Sequence, residues 1–507
     1  MKTNIRSYLS IILLCLVWVF MIFNHNILAQ SNPVSKDDYL LELDEKIPAW
    51  LEEFIVPGAA IALIDNGEVI FQKGYGYADV KNQVKINTQT GFNIGSISKT
   101  VTAWGVMKLV EDGKIELDSP AEKYLTRWHF PNSDFDVDEV TIRRLLSHTA
   151  GLSLHGYPGW AQSDTLPTIE ESLSGKNNGP GDVRIIMEPG TKWKYSGGGF
   201  TILQLIIEEV SGKKFAEYMQ SEILNPLGMK NSSFLIDDKI MSASSLEHNT
   251  YGDVIPFELF TAEAAAGLHT TIEDFTLFAQ ASLYNWNSEK IGQSILKSST
   301  IELMTSPAPA SDGRYGLGYG VDSIQNSSTV LVGHGGANTG WHAYLRVNRE
   351  TGDGFVMVTN GGSGSNVYRQ AYCDWIDWKI GVSLGNRCKK TLTPLLIRTL
   401  KAEDIEATIE KYKEIKKNEV DSYFFNENLL NNFGYELFQA NKIKEAIAIF
   451  KLNVEEYPEA WNVYDSLGEA YMENGENELA IENYQKSVDL NPDNTNGIDF
   501  LKELKSK

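Results

Sequence analysis

The sequence predicts an α+β fold, in which an antiparallel sheet is flanked by helices and carries a helical insertion, followed by an all-α region of helical repeats. Three observations lead to this. β-prone runs separated by turn residues occur at 57–77 and again after 316. Between them, apolar residues recur at helical spacing. After about residue 385, charged helical sequence takes over and a 34-residue period appears.

The first predicted element is a β-hairpin. The stretch Pro57–Tyr77 reads PGAAIALIDNGEVIFQKGYGY. Its two apolar runs flank Asn66-Gly67, a dipeptide that favours the tight turns of hairpins. This hairpin would place two strands at the start of the domain.

Two amphipathic helices are predicted next. The segment Gly95–Gly113 has apolar residues at helical spacing, and Gly113 can end the helix. A second helix is expected over Gly199–Val210, ending at Ser211-Gly212. These helices form the first part of the insertion.

Short β-type segments return near the end of the domain. They are separated by glycine turns and lie at Gly316–Asp322, Val330–Leu331, Ala343–Val347 and Phe355–Val358. Because strands stand at both ends, we expect one sheet shared by the start and the end of the domain.

The C-terminal region repeats with a period of 34 residues. Four pairs share this spacing: Gly434 and Gly468, Ala446 and Ala480, Phe450 and Tyr484, and Pro458 and Pro492. The pattern resembles the tetratricopeptide repeat, a helix–turn–helix unit. Helices within Thr399–Lys417 would supply a neighbour for the two repeats, and Ile498–Leu504 would form a capping helix.

These patterns divide the chain into four predicted parts. They are a signal peptide at 1–29, a main domain at 30–385, a helical linker at 386–425 and the repeats with their capping helix at 426–507.

Composition limits the possible partners. The chain has 507 residues, of which 42% are hydrophobic, so large cores are possible. The net charge of −22 argues against nucleic acid, whose phosphates require clustered basic residues. Residues 426–507 hold 7 basic and 16 acidic residues, a net charge of −9. A protein partner of the repeats would therefore offer a basic face.

The N-terminal segment resembles a secretory signal. Lys2 and Arg6 precede an apolar run, Tyr8–Phe23, and Ala29 offers a small residue for cleavage. We therefore expect a periplasmic or secreted protein. An uncleaved membrane anchor is the alternative, because Ile27 suits the cleavage site poorly.

The cysteines leave one question open. Cys15 lies in the apolar run and is interpreted as an apolar filler. Cys373 and Cys388 would then be the cysteines of the mature chain. They could form one disulfide in an oxidising compartment, or remain two buried thiols. Neither has the neighbours of a metal site.

A candidate nucleophile opens the first predicted helix. The pattern S-x-x-K occurs three times, at Ser96, Ser211 and Ser294. Ser211 stands at a helix end and Ser294 inside a predicted helix. Ser96 instead stands at a helix N-terminus, whose backbone N–H groups can stabilise a developing anion, with Lys99 one turn on. The alternative is an N-cap serine before an exposed lysine.

Two later segments favour the nucleophile. In KYSGGG, Tyr195 precedes a glycine run that can bring the backbone close to a substrate. In GHGGANTG, His334 lies in a glycine-rich edge strand whose N–H and C=O groups can pair with an extended ligand. Taken singly, these could be a core tyrosine in a turn and a surface histidine in a bulged turn.

The order of these segments resembles the serine β-lactamase and penicillin-binding-protein superfamily, most closely the branch of class C β-lactamases, D-alanyl-D-alanine carboxypeptidases, D-aminopeptidases and carboxylesterases. That superfamily has S-x-x-K, then Y-x-N, then K-T-G or H-x-G, and Ser96, Tyr195 and His334 follow that order. The resemblance covers about residues 45–380.

The resemblance implies roles for individual residues. Ser96 would be the acylated nucleophile, with Lys99 and Tyr195 as the base system. The backbone N–H groups of Ser96 and Ala337 would form the oxyanion hole. His334 would orient the substrate carboxylate or donate a hydrogen bond to Tyr195. Four further residues would bind substrate: Gly197, Gly335, Gly336 and His342. No metal or cofactor is implied.

Two departures from the superfamily's pattern bear on the substrate. Gly197 replaces the asparagine of Y-x-N, and His334 replaces the lysine of K-T-G. Both changes favour an esterase or a D-amino-acid peptidase or amidase. The alternatives are a true β-lactamase or D-alanyl-D-alanine carboxypeptidase, and a catalytically weak protein that binds a small-molecule or peptide ligand and docks a partner through its repeats. We expect His148, in LLSHTAGL, to be structural.

Overall fold

The computed structural model describes residues 34–176, 179–283 and 295–506. The predicted signal segment, Cys15 and Ser294 lie outside these ranges. The chain divides into two compact units, Met1–Glu45 and Lys46–Lys507. The described part of the first unit contributes the opening turns of one helix, and everything discussed below lies in the second.

Eleven strands lie within the described residues. They are β1 (Gly58–Asp65), β2 (Glu68–Asp79), β3 (Val84–Lys85), β4 (Gly91–Asn93), β5 (Trp160–Ala161), β6 (Glu258–Leu259), β7 (His269–Thr271), β8 (Gly320–Ser323), β9 (Val330–Asn338), β10 (Trp341–Asn348) and β11 (Asp353–Thr359).

Twelve described α-helices accompany these strands. They are α1 (Lys36–Glu53), α2 (Ile97–Glu111), α3 (Ile142–Leu146), α4 (Ile169–Leu173), α5 (Gly197–Ser211), α6 (Phe215–Met219), α7 (Asn225–Leu227), α8 (Asp238–Ala243), α9 (Glu263–Ala266), α10 (Ile272–Ser282), α11 (Ser298–Thr305) and α12 (Gly364–Ile380). None of the described helices, here or further along the chain, is long and apolar enough to cross a membrane.

The main sheet combines strands from both ends of the domain. Its order is β3-β2-β1-β11-β10-β9-β8, with antiparallel pairing throughout. Strand β1 pairs with β2 on one side and with β11 on the other, so Ala59 lies opposite Thr359. The predicted fold class, an antiparallel sheet with a helical insertion, is confirmed.

The first hairpin follows from its turn dipeptide. Asn66 and Gly67 both have positive φ, at 57° and 78°, and connect Asp65 to its partner Glu68. Positive φ at both central positions is the type I′ geometry, whose twist matches that of the flanking strands.

Strand β9 combines two predicted segments. The short strand predicted at Val330–Leu331 and the glycine-rich edge strand predicted around His334 form one strand that ends at Asn338. Strand β10 pairs along Val332–Asn338, but β8 pairs only with Val330–Gly333. Among the described strands, the second half of β9 is therefore unpaired on its β8 side, as the prediction of a glycine-rich edge strand requires.

Helix α2 runs through the core of the domain. Twelve of its fifteen residues are buried, including Trp104. The indole N–H of Trp104 donates to the Tyr319 hydroxyl at 2.8 Å. A helix enclosed on nearly every side holds its first turn rigidly, which fixes Ser96 and Lys99 in space.

The C-terminal region is helical throughout its described length. Its helices are α13 (Thr393–Ala402), α14 (Ile405–Asn418), α15 (Glu427–Gln439), α16 (Ile443–Glu456), α17 (Trp461–Glu473), α18 (Asn477–Leu490) and α19 (Thr495–Ser506). A Cβ added to Gly434 would lie 2.4 Å from the Phe450 ring, and one added to Gly468 would lie 3.1 Å from the Tyr484 ring. The repeated glycines thus allow an aromatic ring to pack against the backbone of the preceding helix.

Cys373 and Cys388 are joined in the structure. Their Cα atoms lie 6.0 Å apart, and the bridge links α12 to the 3₁₀ turn Gly385–Cys388. Of the two alternatives left open by the sequence, the structure has the disulfide.

Candidate active site

Ser96 stands at the N-terminus of α2. It is half-buried, and its hydroxyl makes no capping hydrogen bond to the helix. The preceding Gly95 has φ of +51°, a value that glycine adopts without strain. The Ser96 hydroxyl therefore does not cap the helix, which was the alternative interpretation of this residue.

Lys99 is a buried lysine directed at Ser96. Its side chain is only 2% exposed. Its Nζ lies 3.2 Å from the Ser96 Oγ and donates to the carbonyl oxygen of Ala265 at 2.7 Å. The alternative of an exposed surface lysine is therefore wrong, and the amine is within proton-transfer distance of the hydroxyl.

The Ala265 carbonyl is a site feature that the sequence did not reveal. It belongs to the short helix α9, which is fixed against the core by two hydrogen bonds. The Gln204 Oε1 accepts from the Ala264 N–H at 3.0 Å, and the Thr102 Oγ1 donates to the Ala264 carbonyl at 3.1 Å. Since α9 lies far along the chain from Ser96, no local spacing signals this contact.

Tyr195 lies close to Lys99. The Lys99 Nζ is 5.0 Å from the centre of the Tyr195 ring. The phenolic oxygen is buried and has no hydrogen-bond partner among the described residues. A buried hydroxyl without a partner is unfavourable by about 1–3 kcal/mol, so this oxygen is available to a ligand.

His148 supports the backbone next to Tyr195. Its ring packs on Tyr195 with centroids 4.2 Å apart, and its Nδ1 accepts the Ser196 backbone N–H at 3.2 Å. Burial, together with the charge of Lys99, holds the pKa of His148 well below its usual value. The residue is therefore neutral, and its hydrogen bond positions the second motif.

Glycines bring β9 against the residues before Ser96. A Cβ on Gly95 would lie 2.6 Å from the Ala337 nitrogen, and one on Gly336 would lie 1.9 Å from the Ile94 carbonyl oxygen. Side chains at these positions would separate the strand from the helix start. Their absence places the Ala337 nitrogen beside Gly95, the residue before the candidate nucleophile.

An asparagine pair fixes this junction. The Asn93 Oδ1 accepts from the Gly95 N–H and from the Asn338 Nδ2, both at 2.7 Å. The Asn338 Nδ2 also donates to the Ala266 carbonyl at 3.1 Å. These bonds connect β4, β9 and α9 around Ser96.

His334 is buried and neutral. Burial, and after it the charges of Lys99 and Arg346, lower the pKa of His334 to about 3. Its Nδ1 lies 2.5 Å from the Gly335 carbonyl oxygen, so Nδ1 carries the hydrogen and Nε2 is an acceptor. The expectation that His334 donates to Tyr195 does not fit this tautomer, because its one donor is already engaged.

Gly197 leaves no room for a side chain in this arrangement. Its N–H donates to the His155 carbonyl at 2.9 Å. A Cβ at residue 197 would lie 2.9 Å from the same oxygen. The asparagine of the Y-x-N motif would stand at residue 197. In this chain the loop that carries His155 approaches that position instead.

His342 is placed differently from the expectation that it binds substrate. It lies on β10 opposite Ala337, but its Nε2 meets the Gly362 carbonyl at 2.9 Å. Burial lowers its pKa to about 4. Its side chain is engaged with the loop after β11 and is not among the residues that line the cavity described next.

Most of the predicted site residues line one cavity of about 660 Å³, but Lys99, Gly197 and His342 do not. Six of its lining residues were predicted: Ser96, Tyr195, His334, Gly335, Gly336 and Ala337. The sequence missed four others: His155, Trp193, Lys194 and Tyr368. Trp193 and Lys194 directly precede Tyr195, and that adjacency could have indicated them.

The described ranges contain no cluster of metal-ligating side chains. Within them, no group of three or more His, Cys, Asp or Glu side chains is arranged to hold a metal ion. The groups that the cavity offers are a hydroxyl, an amine, a phenol, imidazoles and backbone N–H donors.

Two family models match the chain. The beta-lactamase model matches residues 44–372, and the tetratricopeptide repeat model matches residues 461–494.

Curated relatives match less than two thirds of the chain. Protein flp of Staphylococcus aureus (strain COL) is 26% identical over 341 residues, covering 64% of each chain. A putative penicillin-binding protein PbpX of Bacillus subtilis (strain 168) is 33% identical over 196 residues, covering 38% of this chain and 45% of the relative. The match thus spans less than two thirds of these relatives.

Solved structures share the fold. The octameric penicillin-binding protein homologue from Pyrococcus abyssi has a TM-score of 0.57 at 27% identity, with 71% of this chain and 81% of that chain covered. SurE, solved with D-Leu, has a TM-score of 0.54 at 22% identity, covering 69% and 77% respectively.

Proposed function

Since the chain belongs to the beta-lactamase family of serine hydrolases, we propose that it cleaves an ester or amide through an acyl-enzyme formed on Ser96. The observation that carries this proposal is the 3.2 Å separation between the Ser96 Oγ and the Nζ of the buried Lys99. The two groups meet at the start of a helix whose N–H groups favour negative charge.

In the acylation step, the Ser96 Oγ attacks the substrate carbonyl carbon, and its proton passes to the Lys99–Tyr195 pair. The carbonyl oxygen gains negative charge and accepts hydrogen bonds from the N–H groups of Ser96 and Ala337. The bond to the leaving group then breaks, and the leaving alcohol or amine takes up the proton. Water, activated by the same pair, hydrolyses the acyl-enzyme.

The lining of the cavity favours a substrate that does not need to form an ion pair with His334. That imidazole is neutral because its pKa lies at about 3. Position 197 offers no side-chain amide to grip a substrate amide. Aromatic rings of Trp193, Tyr195 and Tyr368 line the cavity instead. We therefore place esters first and D-amino-acid amides second, ahead of β-lactams and D-alanyl-D-alanine peptides.

The mass of the protein after reaction tests the nucleophile. We expect a fluorophosphonate or p-nitrophenyl acetate to add to Ser96, and Ser96→Ala to abolish both adduct and turnover. The matched control is Ser211→Ala, which removes the hydroxyl of another S-x-x-K motif and should leave both unchanged. Esterase activity that persists in Ser96→Ala would refute the proposal.

A substrate panel separates the finer alternatives. Esters, D-amino-acid amides and nitrocefin are assayed side by side on the same preparation, and we expect the largest kcat/KM with an ester. Faster hydrolysis of nitrocefin than of every ester would instead assign a true β-lactamase.

We also propose that the protein works outside the cytoplasm. The charged and apolar character of residues 1–29 supports export. The Cys373–Cys388 disulfide supports an oxidising compartment. Replacing Leu13 and Leu14 by arginine tests this location, because it interrupts the apolar run. We expect the variant to be lost from the periplasmic or extracellular fraction, and an unchanged distribution would oppose the proposal.

The tetratricopeptide repeat points to interaction with another protein. The net charge of −9 over residues 426–507 favours a basic partner face.

A further inference from the structure

A second cavity lies where the sheet domain meets the helical region. It has a volume of about 780 Å³, within the range of about 300–1,000 Å³ that is typical of small-molecule sites. We call it the junction groove. It is formed by the end of α1 and the chain after it, strands β2 and β3 at one end of the sheet, the loop at Tyr251-Gly252 and helix α13.

The walls of the junction groove are mostly apolar. Eight of its lining residues supply this surface: Pro48, Leu51, Ile55, Val56, Pro57, Tyr77, Val80 and Tyr251. Val80 is 42% exposed although it is a large apolar side chain. Exposed apolar surface of this kind, gathered in a concave site, marks a place where a ligand can be buried.

Positive charge surrounds this apolar surface. Lys85, Arg398 and Lys401 line the groove, against Glu52 as the one carboxylate among its described lining residues. The chain as a whole has a net charge of −22, so a local excess of cations contrasts with the rest of the molecule. An apolar surface edged by cations is complementary to a molecule with an apolar body and an anionic head.

Ile55 adds an observation from the backbone. It has φ of +57°, a conformation that is an outlier for a β-branched residue. Ile55 follows the end of α1, where the Val56 N–H donates a hydrogen bond to the Leu51 carbonyl at 2.9 Å. Glycine is the preferred residue at such a helix end. The Ile55 side chain contributes to the groove wall.

The loop and the helix that carry the remaining walls are connected. The Lys401 Nζ donates to the Tyr251 carbonyl at 2.6 Å, and the Thr250 Oγ1 donates to the Glu436 carboxylate at 3.0 Å. These bonds hold the helical region against the sheet domain, so the groove has fixed walls on both sides.

We propose that the junction groove binds a single-chain amphiphile with an anionic head group, such as a long-chain carboxylate. The hydrocarbon chain lies on the apolar walls of α1, β2 and Ile55. The carboxylate lies among Lys85, Arg398 and Lys401. This site is separate from the cavity at Ser96 and does not depend on the hydrolytic function.

Fluorescence of cis-parinaric acid tests this directly. The full chain with Ser96→Ala is titrated with the probe, so that turnover cannot remove it. We expect saturable binding that oleate displaces. Val80→Glu should weaken the binding at least about tenfold, since it places a charge on the apolar wall. Lys85→Glu combined with Arg398→Glu should do the same by repelling the head group, and it leaves the hydrogen bond from Lys401 to the Tyr251 carbonyl intact.

Matched controls identify the groove as the binding site. Val84→Glu changes another exposed valine, which is 50% exposed and does not line the groove. Lys417→Glu changes an exposed cation on α14, also outside the groove. Both should bind the probe as the parent does, and circular dichroism should show that all variants remain folded.

Several results would overturn the proposal. They are an absence of saturable binding, binding that survives both Val80→Glu and the double charge reversal, and equal losses in the control variants. If the methyl ester of the probe binds as tightly as the acid, the anionic head group is wrong. A dimer in light scattering that Val80→Glu abolishes, without probe binding, would assign the groove to a second copy of the chain.

Discussion

At the scale of single residues, Gly95 determines how close two parts of the site can come. The Ala337 nitrogen lies 2.6 Å from where a Cβ of residue 95 would stand. Gly95→Ala should therefore displace β9 from the start of α2 and lower kcat by at least about tenfold, as expected when an oxyanion donor moves. Steady-state kinetics with a p-nitrophenyl ester measures this.

Gly113→Ala is the matched control for Gly95→Ala. Gly113 also has positive φ, at +69°, but a Cβ there would meet nothing within 4 Å. Both variants should lose about 1–2 kcal/mol of stability from backbone strain. Gly95→Ala should lose more because of its overlap with Ala337, and it alone should lose activity. Equal kinetics in the two variants would show that the Gly95–Ala337 approach is unimportant.

Lys99 is the residue whose loss should affect turnover most after Ser96. Lys99→Ala removes the amine 3.2 Å from the Ser96 Oγ, and we expect kcat/KM to fall by about 10²–10⁴-fold. The fall should appear in acylation, measured as the rate of adduct formation by stopped flow. Lys214→Ala, at the lysine of the Ser211 motif, should be neutral. Normal acylation in Lys99→Ala would exclude the proposed base.

The sequence predicts the placement of a site residue only where a local pattern determines it. Ser96 and Lys99 lie one helical turn apart, so their proximity follows from a helix that the sequence predicts. The Ala265 carbonyl that binds Lys99 could not be predicted, because a backbone oxygen leaves no mark in the sequence. The tautomer of His334 depends on the hydrogen bond to the Gly335 carbonyl. It could not be predicted, because the backbone conformation sets the direction of that carbonyl.

At the scale of elements, the disulfide links α12 to the turn that follows it. The cysteines are separated by 15 residues. A closed loop of this size contributes about 3 kcal/mol in the chain-entropy account. Replacing both cysteines by serine should lower the melting temperature while kcat/KM stays within about twofold, because neither cysteine lines the catalytic cavity.

The control for the cysteine variant is Ser383→Ala, a change in the same loop that leaves the bridge intact. A melting temperature that does not respond to loss of both cysteines, or to a reductant, would mean that the bridge contributes nothing to stability in solution.

Element boundaries were predictable where a turn residue or a helix stop marks them. Asn66-Gly67 forms the predicted hairpin turn, and Gly212, with φ of +69°, ends α5 as expected. The sequence indicated β9 as two pieces, Val330–Leu331 and a glycine-rich edge strand, because glycines have low β propensity and interrupt the apolar pattern. Pairing with β10 and contact with Ile94 hold the glycines in the strand, and both are tertiary interactions.

At the scale of the whole molecule, buried histidines make stability sensitive to acid. Burial lowers the pKa of His269 and His334 to about 3 and of His342 to about 4. Below pH 6.5 the unfolded chain takes up protons that the folded chain does not. The contribution of these histidines to stability is therefore complete above pH 6.5 and should fall as pH drops toward 3, by up to about 1.4 kcal/mol per pH unit for each histidine.

Glu247 has the opposite effect on stability. Burial raises its pKa to about 8, so between pH 4.5 and 8 the folded chain keeps a proton that the unfolded chain releases. Stability should decline over that interval as pH rises. Glu247→Gln should reduce the decline in melting temperature between pH 6.5 and 8, whereas Glu459→Gln, at an exposed residue, should not. Identical profiles for wild type and Glu247→Gln would contradict this account.

The sheet itself has a consequence for how the protein is made. Strand β1 ends at Asp65, and its neighbour β11 begins only at Asp353. During synthesis the first hairpin must therefore wait, with one edge open, until nearly three hundred further residues have left the ribosome. Such late partnering slows folding and exposes a surface on which other chains can assemble. A chaperone that shields β1 during this interval should raise the yield of active protein more than one that acts after release.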